Sequence, residues 1–338
     1  DVDGLTQNDI FAIGGTALIE IGQTISVSGR FEAVFSKQDI STDNPDVPED
    51  VFVAITQADV ITIKLTNGFA VVGDGVSFTY ETQNVDTTPV NGVSDQGTGF
   101  GIENAGFELI SISGGTVTAG GTDGDSWLAY RITAGYAVLL GVDDVTFEAS
   151  NINVQGNVAT DADNGATGTN AVAMDWSALA TVFDDFTLTV GPTALTATDD
   201  FAIGGTAAIG VQGYVLAIGT FDVVIEDFAT PVSVTTNAGS QTLATAQSMF
   251  ISLRNLSLFA GVGGAFTTNT AGRITGVDTT QGTGFVVNNA GLEVAILMDT
   301  TTPETWTAVS VIADAVALQG LPDDLVFTIT DFGFDFNV

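Results

Sequence analysis

Two residue types are missing from this sequence altogether: it contains no cysteine and no histidine. Without them the chain forms no disulfides, no zinc sites of the Cys/His type, and neither the Ser-His-Asp nor the Cys-His arrangement of hydrolases. A metal site would therefore consist of carboxylate and carbonyl oxygens, which suit calcium or magnesium. At 338 residues the chain is still long enough to bury a core without cross-links.

Basic residues are also scarce. The chain has six Lys and Arg but 41 Asp and Glu, which gives a net charge of −35. Phosphate contacts need Lys and Arg, so we expect no nucleic-acid partner. A surface this acidic gains from counterions, either bulk salt or bound divalent cations. Disorder does not fit, since 45% of the residues are hydrophobic and the mean hydropathy is +0.36.

Long apolar runs are also missing. None reaches the ~18–20 residues of a membrane-spanning helix, so we expect no membrane span. The first ten residues, DVDGLTQNDI, have neither the basic nor the apolar region of a signal peptide. We therefore expect a mature terminus or an internal fragment.

Helix-forming Lys, Arg, Gln and Glu are scarce, whereas glycine occurs 40 times. Apolar and polar residues alternate in 24–35 and 60–72, which is typical of half-buried strands, and the pair Asn67-Gly68 indicates a turn. The chain is thus predicted to be all-β. Two segments keep a helical alternative: 301–318, with Thr302 before a proline, and 169–183, with Asn170 as a possible N-cap.

What is present, and present twice, is a long repeat. The heptamer FAIGGTA stands at 11–17 and again at 201–207, and the match extends without gaps over 11–35 and 201–225. Further matches follow in the same order: QGTGF…NAG at 96–106 and 281–291, Trp127 with Trp306, and GVDDVTF with LPDDLVF at 141–147 and 321–327. We predict a first β-rich unit at 1–190 and a second, shorter or truncated copy at 191–338.

The two copies share glycines, aromatics and aliphatics but not charges, since Arg30 becomes Thr220 and Lys37 becomes Asp227. This is the pattern of a repeated scaffold rather than of a repeated catalytic site. We interpret FAIGGTA as a strand, a tight turn and another strand, with Gly14 and Gly15 supplying positive φ or a close backbone approach.

Two acidic loops are candidate calcium ligands. The stretch GGTDGDSW carries Asp123 and Asp125, and TDADNG carries Asp161 and Asp163; closely spaced oxygens of this kind open calcium-binding loops. The closing bidentate Glu is missing, so solvated acidic loops are the alternative. A third cluster of the same kind lies at 43–50.

No enzymatic activity is expected. The pairs Asp143-Asp144 and Asp323-Asp324 recur at matching positions, but adjacent residues on a strand point to opposite faces, so we predict turns rather than an acid/base pair. Lyases that act on acidic polysaccharides need basic residues to neutralise the uronate, and here the six basic residues are scattered.

Glycine- and threonine-rich strands such as FAIGGTA and SLFAGVGGAF, separated by QGTGF…NAG and GVDDVTF elements, resemble the repeat regions of giant acidic bacterial cell-surface and extracellular proteins of the adhesin type. The resemblance implies an exported protein of fibres, coats or adhesive stalks, often with bound calcium. The nonapeptide calcium repeat GGxGxDxUx of RTX proteins is absent, so that calcium-binding mechanism is not implied.

Together these observations predict an elongated, solenoid-like all-β rod of two related repeats, with tandem β-sandwiches as the alternative. The expected function is a structural repeat module of a secreted bacterial filament, fibre or surface layer; the alternative is a calcium-dependent adhesin module that binds carbohydrate or protein. Residues 325–338 look like a strand without the Lys or Pro that blocks edges, so self-association through strand edges is expected.

Overall fold

A computed structural model describes most of the chain, and the described part is all-β, as predicted. The described residues are 9–21, 24–41, 53–80, 90–93, 97–119, 124–162, 171, 173–174, 176, 189–190, 193–194, 199–228, 231–236, 239–243, 246–299, 302, 304–321 and 327–337. None of these residues is helical, so within them no helix has the length and hydropathy to cross a membrane.

Twelve strands follow one another across a large antiparallel sheet, and a thirteenth short strand joins at its side. In sheet order the twelve are β1 (Asp9–Ile21), β2 (Ile25–Ser41), β3 (Ala54–Asp74), β6 (Thr98–Ser113), β8 (Ser126–Leu140), β9 (Val145–Thr160), β12 (Asp199–Val211), β13 (Val215–Phe228), β16 (Ala246–Val262), β19 (Thr283–Asp299), β20 (Thr305–Gln319) and β21 (Phe327–Asn337). The short β7 (Thr116–Ala119) pairs with β3.

Four small hairpins interrupt this succession. They are β4 (Phe78–Tyr80) with β5 (Val90–Val93), β10 (Thr189–Val190) with β11 (Thr193–Ala194), β14 (Val232–Thr236) with β15 (Gly239–Leu243), and β17 (Ala265–Thr268) with β18 (Ile274–Asp278). Every long strand pairs with the long strand that precedes it in the chain, so the sheet is a meander without crossovers.

The prediction that FAIGGTA forms a strand, a turn and a strand is wrong. Both copies lie wholly inside strands, in β1 and β12, and none of their glycines has positive φ. A Cβ on Gly204 would lie 2.5 Å from Asp222 Oδ1 on the paired strand, so this glycine makes room for a neighbour's side chain. The turn comes later, at Gln212 and Gly213, which have φ of 50° and 69°.

The helical alternative at 301–318 is wrong, because Thr305–Gln319 is strand β20. Of 169–183 only residues 171, 173, 174 and 176 are described, and none of them is helical. Asp143 and Asp144 form the predicted turn between β8 and β9, where Asp144 has φ of 66°. The pair Asp323-Asp324 lies outside the described residues.

A row of bulges crosses the middle of the sheet. Each bulge contains an asparagine with φ near +50°: Asn67, Asn104, Asn151, Asn255 and Asn289. Asp331 has a similar φ in β21, but its pairing with β20 shows no register shift. Asparagine tolerates this left-handed conformation better than most side chains. The turn predicted at Asn67-Gly68 is therefore a bulge inside β3.

The two faces of the sheet differ sharply, because directly paired residues on neighbouring strands point to the same side. The apolar face is defined by its outermost rows. In the first repeat these rows are Phe11–Phe35–Ile61–Ser111–Leu128–Val158 and Ile25–Val72–Phe100–Leu139; in the second they are Ile225–Met249–Ile296–Thr307 and Val215–Ala260–Phe285–Leu318–Phe327. The opposite side is the polar face, which carries the charged strand residues located between these outermost rows.

The buried core lies on the polar face, under chain segments that fold back over it. The largest cluster contains the fully buried Trp127 and is capped by Met174 and Trp176. The cap is held by two hydrogen bonds: Trp176 Nε1 donates to Asn157 Oδ1 (2.7 Å), and Asn157 Nδ2 donates to the Met174 carbonyl (3.0 Å). In the second repeat, Phe259 is buried beneath the β17–β18 hairpin.

Candidate functional site

The first notable site is the junction between the two repeats, where strand β9 pairs directly with strand β12. The pairing runs from Val145 opposite Val211 to Gly156 opposite Phe201, with one bulge between Gly204 and Thr206. The repeats are thus joined by a backbone ladder inside one sheet rather than by a linker. Such a ladder satisfies the backbone donors and acceptors of both strands.

The outer strands reproduce the two sides of this junction. Strand β1 has the same sequence motif as β12, and β21 corresponds to β9, with Phe327 at the place of Phe147 and Asp331 at the place of Asn151. Asp331 and Asn151 have nearly the same left-handed φ, 53° and 52°. Among the described residues β1 pairs only with β2 and β21 only with β20.

Both outer strands carry exposed apolar side chains. On β1 Phe11 is 54% exposed, and on β21 Phe336 is 50% exposed. Lys and Pro, which block strand edges, are absent from the described residues of both strands. Within the described part of the chain, neither edge is covered by another strand.

A second site joins the repeats on the polar face. Arg273, next to the β17–β18 hairpin of the second repeat, reaches across to strands of the first. Its Nη2 lies 2.5 Å from Glu103 Oε2, and its guanidinium carbon stands 3.1 Å from the ring centroid of Tyr136. The neighbouring Ile274 N–H donates to Glu148 Oε2 (2.9 Å).

Burial raises the pKa of the Tyr136 phenol, and its hydrogen bond to Glu148 raises it further. The phenol therefore stays protonated and donates to that carboxylate. Every polar group named in this cluster is engaged by another one, which suits a structural clasp and leaves no free acid, base or nucleophile. Sequence reasoning missed the clasp; the one available signal was that Arg273 belongs to a set of only six basic residues.

A third site is a charged row on the polar face of the first repeat. Direct pairing aligns Glu32, Lys64, Glu108, Arg131 and Gln155 across five strands. Lys64 Nζ lies 3.7 Å from Glu108 Oε1, and Arg131 Nε donates to Asn153 Oδ1 (3.1 Å). Gln155 is fully buried, and neither polar atom of its amide has a hydrogen-bond partner in the structure.

An open groove of about 270 Å³ runs beside Glu108 and Arg131 and is lined by Thr66, Asn67 and Thr133. In the second repeat the row that follows Asp222 consists of Ser252, Glu293 and Ser310, so no Lys or Arg occupies these positions. Arg254, two residues from Ser252, pairs with Asp222 instead. The charged row is therefore found only in the first repeat. This agrees with the sequence comparison, in which the two copies do not share their charged residues.

The predicted calcium ligands are only partly within the described residues. Asp123 and Asp163 lie outside them. Asp125 is completely buried, and its Oδ1 accepts a hydrogen bond from the Ala162 N–H (2.9 Å). Asp161 is half-buried.

Pairing of Ser126 with Thr160 brings the two predicted calcium loops to the same end of β8 and β9. In the described ranges, no group of three or more acidic side chains is arranged to hold a metal. The cluster at 43–50 lies outside those ranges. Calcium binding at Asp123, Asp125, Asp161 and Asp163 stays a prediction.

Comparison with known proteins adds no assignment: no protein-family model, no curated protein and no solved structure matches this chain.

Proposed function

We propose that this chain is a structural repeat module, which extends a β-sheet by adding copies strand to strand in a bacterial filament, fibre or surface layer outside the cell. The observation that carries this proposal is the β9–β12 junction, where one repeat continues into the next through a ladder of backbone hydrogen bonds. A chain that already joins two copies in this way has the surfaces to join more.

Growth by such junctions is one-dimensional, because each copy contacts only its neighbours. An elongated, solenoid-like rod is one form that this growth would take, and tandem sandwiches would need a linker between copies instead. The acidic surface and the absence of cysteine are compatible with an exported protein, and the resemblance to adhesin-type repeat regions supports the extracellular setting.

The internal junction also specifies how two chains would meet. Transferring the β9–β12 register to β21 and β1 places Thr330 opposite Thr16, as Ser150 is opposite Thr206. Phe334 then lies opposite Ile13, as Val154 is opposite Ile203. The contact is head-to-tail, so it propagates rather than closes.

Cysteine cross-linking tests this register, because the natural chain has no thiol to interfere. Chains carrying Thr330→Cys are mixed with chains carrying Thr16→Cys under mild oxidation, and a covalent dimer is expected. The internal reference is one chain with Ser150→Cys and Thr206→Cys, which reports the efficiency of the established junction.

Leu18→Cys replaces Thr16→Cys as the control. It lies two residues away on the same face, where the diagonal distance of about 7–8 Å exceeds the reach of a disulfide. Cross-linking to Leu18 with equal yield would reject the register but not the assembly. Monomers at all concentrations and salt conditions, by light scattering and electron microscopy, would reject the proposed function itself.

A calcium-dependent adhesin module is the second candidate. It is favoured by one observation, the placement of the Asp125 and Asp161 loops at a common end of β8 and β9. A calcium ion bridging those loops would stiffen that end of the first repeat and could present it to a carbohydrate or protein.

A further inference from the structure

The apolar face carries no charge over twelve strands. Between its outermost rows the paired residues are aliphatic or aromatic side chains, Ala and Gly, and the polar exceptions are Ser111, Thr307 and the Tyr130 hydroxyl. Most large apolar side chains that are exposed in the described chain point this way; Ile312, Leu18 and Phe250 are among the few that do not.

Polar rows bound this face at both ends of the strands. On one side Lys37, Asp59, Ser113, Ser126 and Thr160 form a continuous row, and the Lys37 and Asp59 side chains pair there at 2.5 Å. In the second repeat Gln247 Nε2 donates to Asp227 Oδ1 (2.9 Å) at the same level.

The polar row at the other end of the strands also occurs in both repeats. Thr98 donates to the Gly141 carbonyl in the first repeat (3.2 Å), and Thr283 donates to the Gly320 carbonyl in the second (3.4 Å). The apolar face is thus a band of constant height, with polar groups above and below it in both repeats.

The height of the band matches the interior of a lipid bilayer. On β3 the band runs from Ile61 to Val72, eleven residue steps, which at ~3.3 Å each gives about 36 Å along the strand. A bilayer has a hydrocarbon core of about 30 Å, so a moderate tilt of the strands brings the two lengths together. The ladders on both sides of each inner strand leave few backbone polar groups facing outward.

A protein partner explains the band less well. Stable protein interfaces bury about 800 Å² on each side and have a polar rim around a patch, whereas this band crosses every long strand at one level. A flat slab of hydrocarbon, bordered by water on both sides, is the environment with that shape.

We propose that the apolar face contacts the acyl chains of a lipid bilayer, while the polar face and the two rims stay in water. The surface involved differs from the strand edges, so its test does not use the cross-linking result. In hydrocarbon the unpaired backbone groups of β1 and β21 would need a further strand, and in this respect the inference rests on the proposed function. The sequence analysis predicted no membrane span because it searched for long runs of consecutive apolar residues. A strand in which apolar and polar residues alternate has an apolar face but no such run, so the search does not detect it.

Ile132 and Ile312 provide a matched pair for the test. They are the same residue type, 42% and 60% exposed, on the apolar and the polar face respectively. Each is changed to cysteine in the full chain and labelled with an environment-sensitive fluorophore. The chain is transferred from neutral detergent into phosphatidylcholine vesicles, because anionic lipid would repel the net charge of −35.

A quencher attached to the lipid acyl chains should lower the fluorescence at Ile132 at least about threefold and leave the label at Ile312 within about 20% of its value. Ile132→Asp with Ile209→Asp should reduce vesicle flotation at least about tenfold, whereas Ile312→Asp should not change it. Far-ultraviolet circular dichroism verifies that the variants fold. Equal quenching on both faces, absence of flotation by the unmodified chain, or a label at Ile132 that is shielded by a second copy without lipid would each overturn the proposal.

Discussion

Arg273 ties the second repeat to the first through a single side chain. Its guanidinium pairs with Glu103 and stacks on Tyr136, so one planar group serves two strands of the other repeat. Side-chain exposures of 30% for Arg273 and 23% for Glu103 keep the ion pair partly shielded from solvent. A partly shielded pair of this kind contributes more than an exposed one.

Arg273→Ala should lower the free energy of unfolding by about 1–3 kcal/mol, because it removes the ion pair and the stacking together. Arg273→Lys should recover part of the loss, since an ammonium keeps the charge but not the planar contact. The measurement is urea denaturation at constant ionic strength.

Arg254→Ala is the matched control for this prediction, because Arg254 pairs with Asp222 within the second repeat and is more than half exposed. We expect it to cost at most about 1 kcal/mol. Equal losses for Arg273→Ala and Arg254→Ala would show that the clasp adds nothing beyond a surface ion pair.

The repeated glycines were predictable as positions that the fold needs, but their role was not. For Gly282, the counterpart of Gly97, the reason is contact, because a Cβ there would lie 2.8 Å from the Phe259 ring. Sequence reasoning left positive φ and a close backbone approach open for Gly14 and Gly15; both lie in strand β1, and neither has positive φ. A single sequence does not distinguish these two uses of glycine, because the neighbouring strand is unknown.

Among the strands, the row of bulges is the feature that the sequence signalled but did not identify correctly. Asn-Gly signals a left-handed residue, which a hairpin turn and a bulge both require, and only the pairing partner on each side separates the two. At Asn289 the side chain adds a hydrogen bond, as its Nδ2 donates to Asp314 Oδ2 on the next strand (2.6 Å). Alternation predicted the strands themselves correctly over 24–35 and 60–72, because a half-exposed sheet keeps period two.

Asn289→Ala should therefore destabilise the chain by about 1–2 kcal/mol, through the strain of φ of 49° and the lost hydrogen bond. Asn289→Gly keeps the backbone conformation and should cost less. Asn288→Ala, at the exposed neighbouring position, is the control and should stay within about 0.5 kcal/mol of the unmodified chain. The midpoints of urea unfolding rank the stabilities of the three variants. Equal destabilisation by Asn289→Ala and Asn289→Gly would contradict the role of the left-handed conformation in the bulge.

Charge acts on the whole molecule. With a net −35, withdrawal of divalent ions at low ionic strength should lower the melting temperature, and sodium chloride should partly restore it by screening. Calcium at millimolar concentration should raise the melting temperature further than sodium chloride of equal ionic strength if the Asp125 and Asp161 loops bind it.

The variant Asp125→Asn with Asp161→Asn should remove the calcium-specific increment and leave the sodium chloride effect intact. If calcium raises the melting temperature of the unmodified chain no more than sodium chloride of equal ionic strength does, Asp125 and Asp161 are not calcium ligands. Scanning calorimetry or a dye-free fluorescence melt measures both effects.

At this scale the sequence predicted the all-β class correctly, but not the one large sheet of consecutive strands. Nothing in a strand pattern says whether successive strands pair with each other or divide between two layers. The contacts of the candidate site were the least predictable feature. The clasp depends on an ion pair between Arg273 and Glu103, which lies 170 residues earlier in the chain. Contacts over such distances leave no trace in composition or spacing.

The meander has one further consequence, for the way the chain folds. Each long strand needs only the long strand before it, and even at the β9–β12 ladder the paired residues Val145 and Val211 are only 66 positions apart in a chain of 338, so contact order stays low for so large a sheet. During synthesis, β9 is complete before β12 emerges and offers it a finished template with a fixed register. Near-identical repeats are prone to pair with the wrong neighbour, and this order of appearance guards against that error.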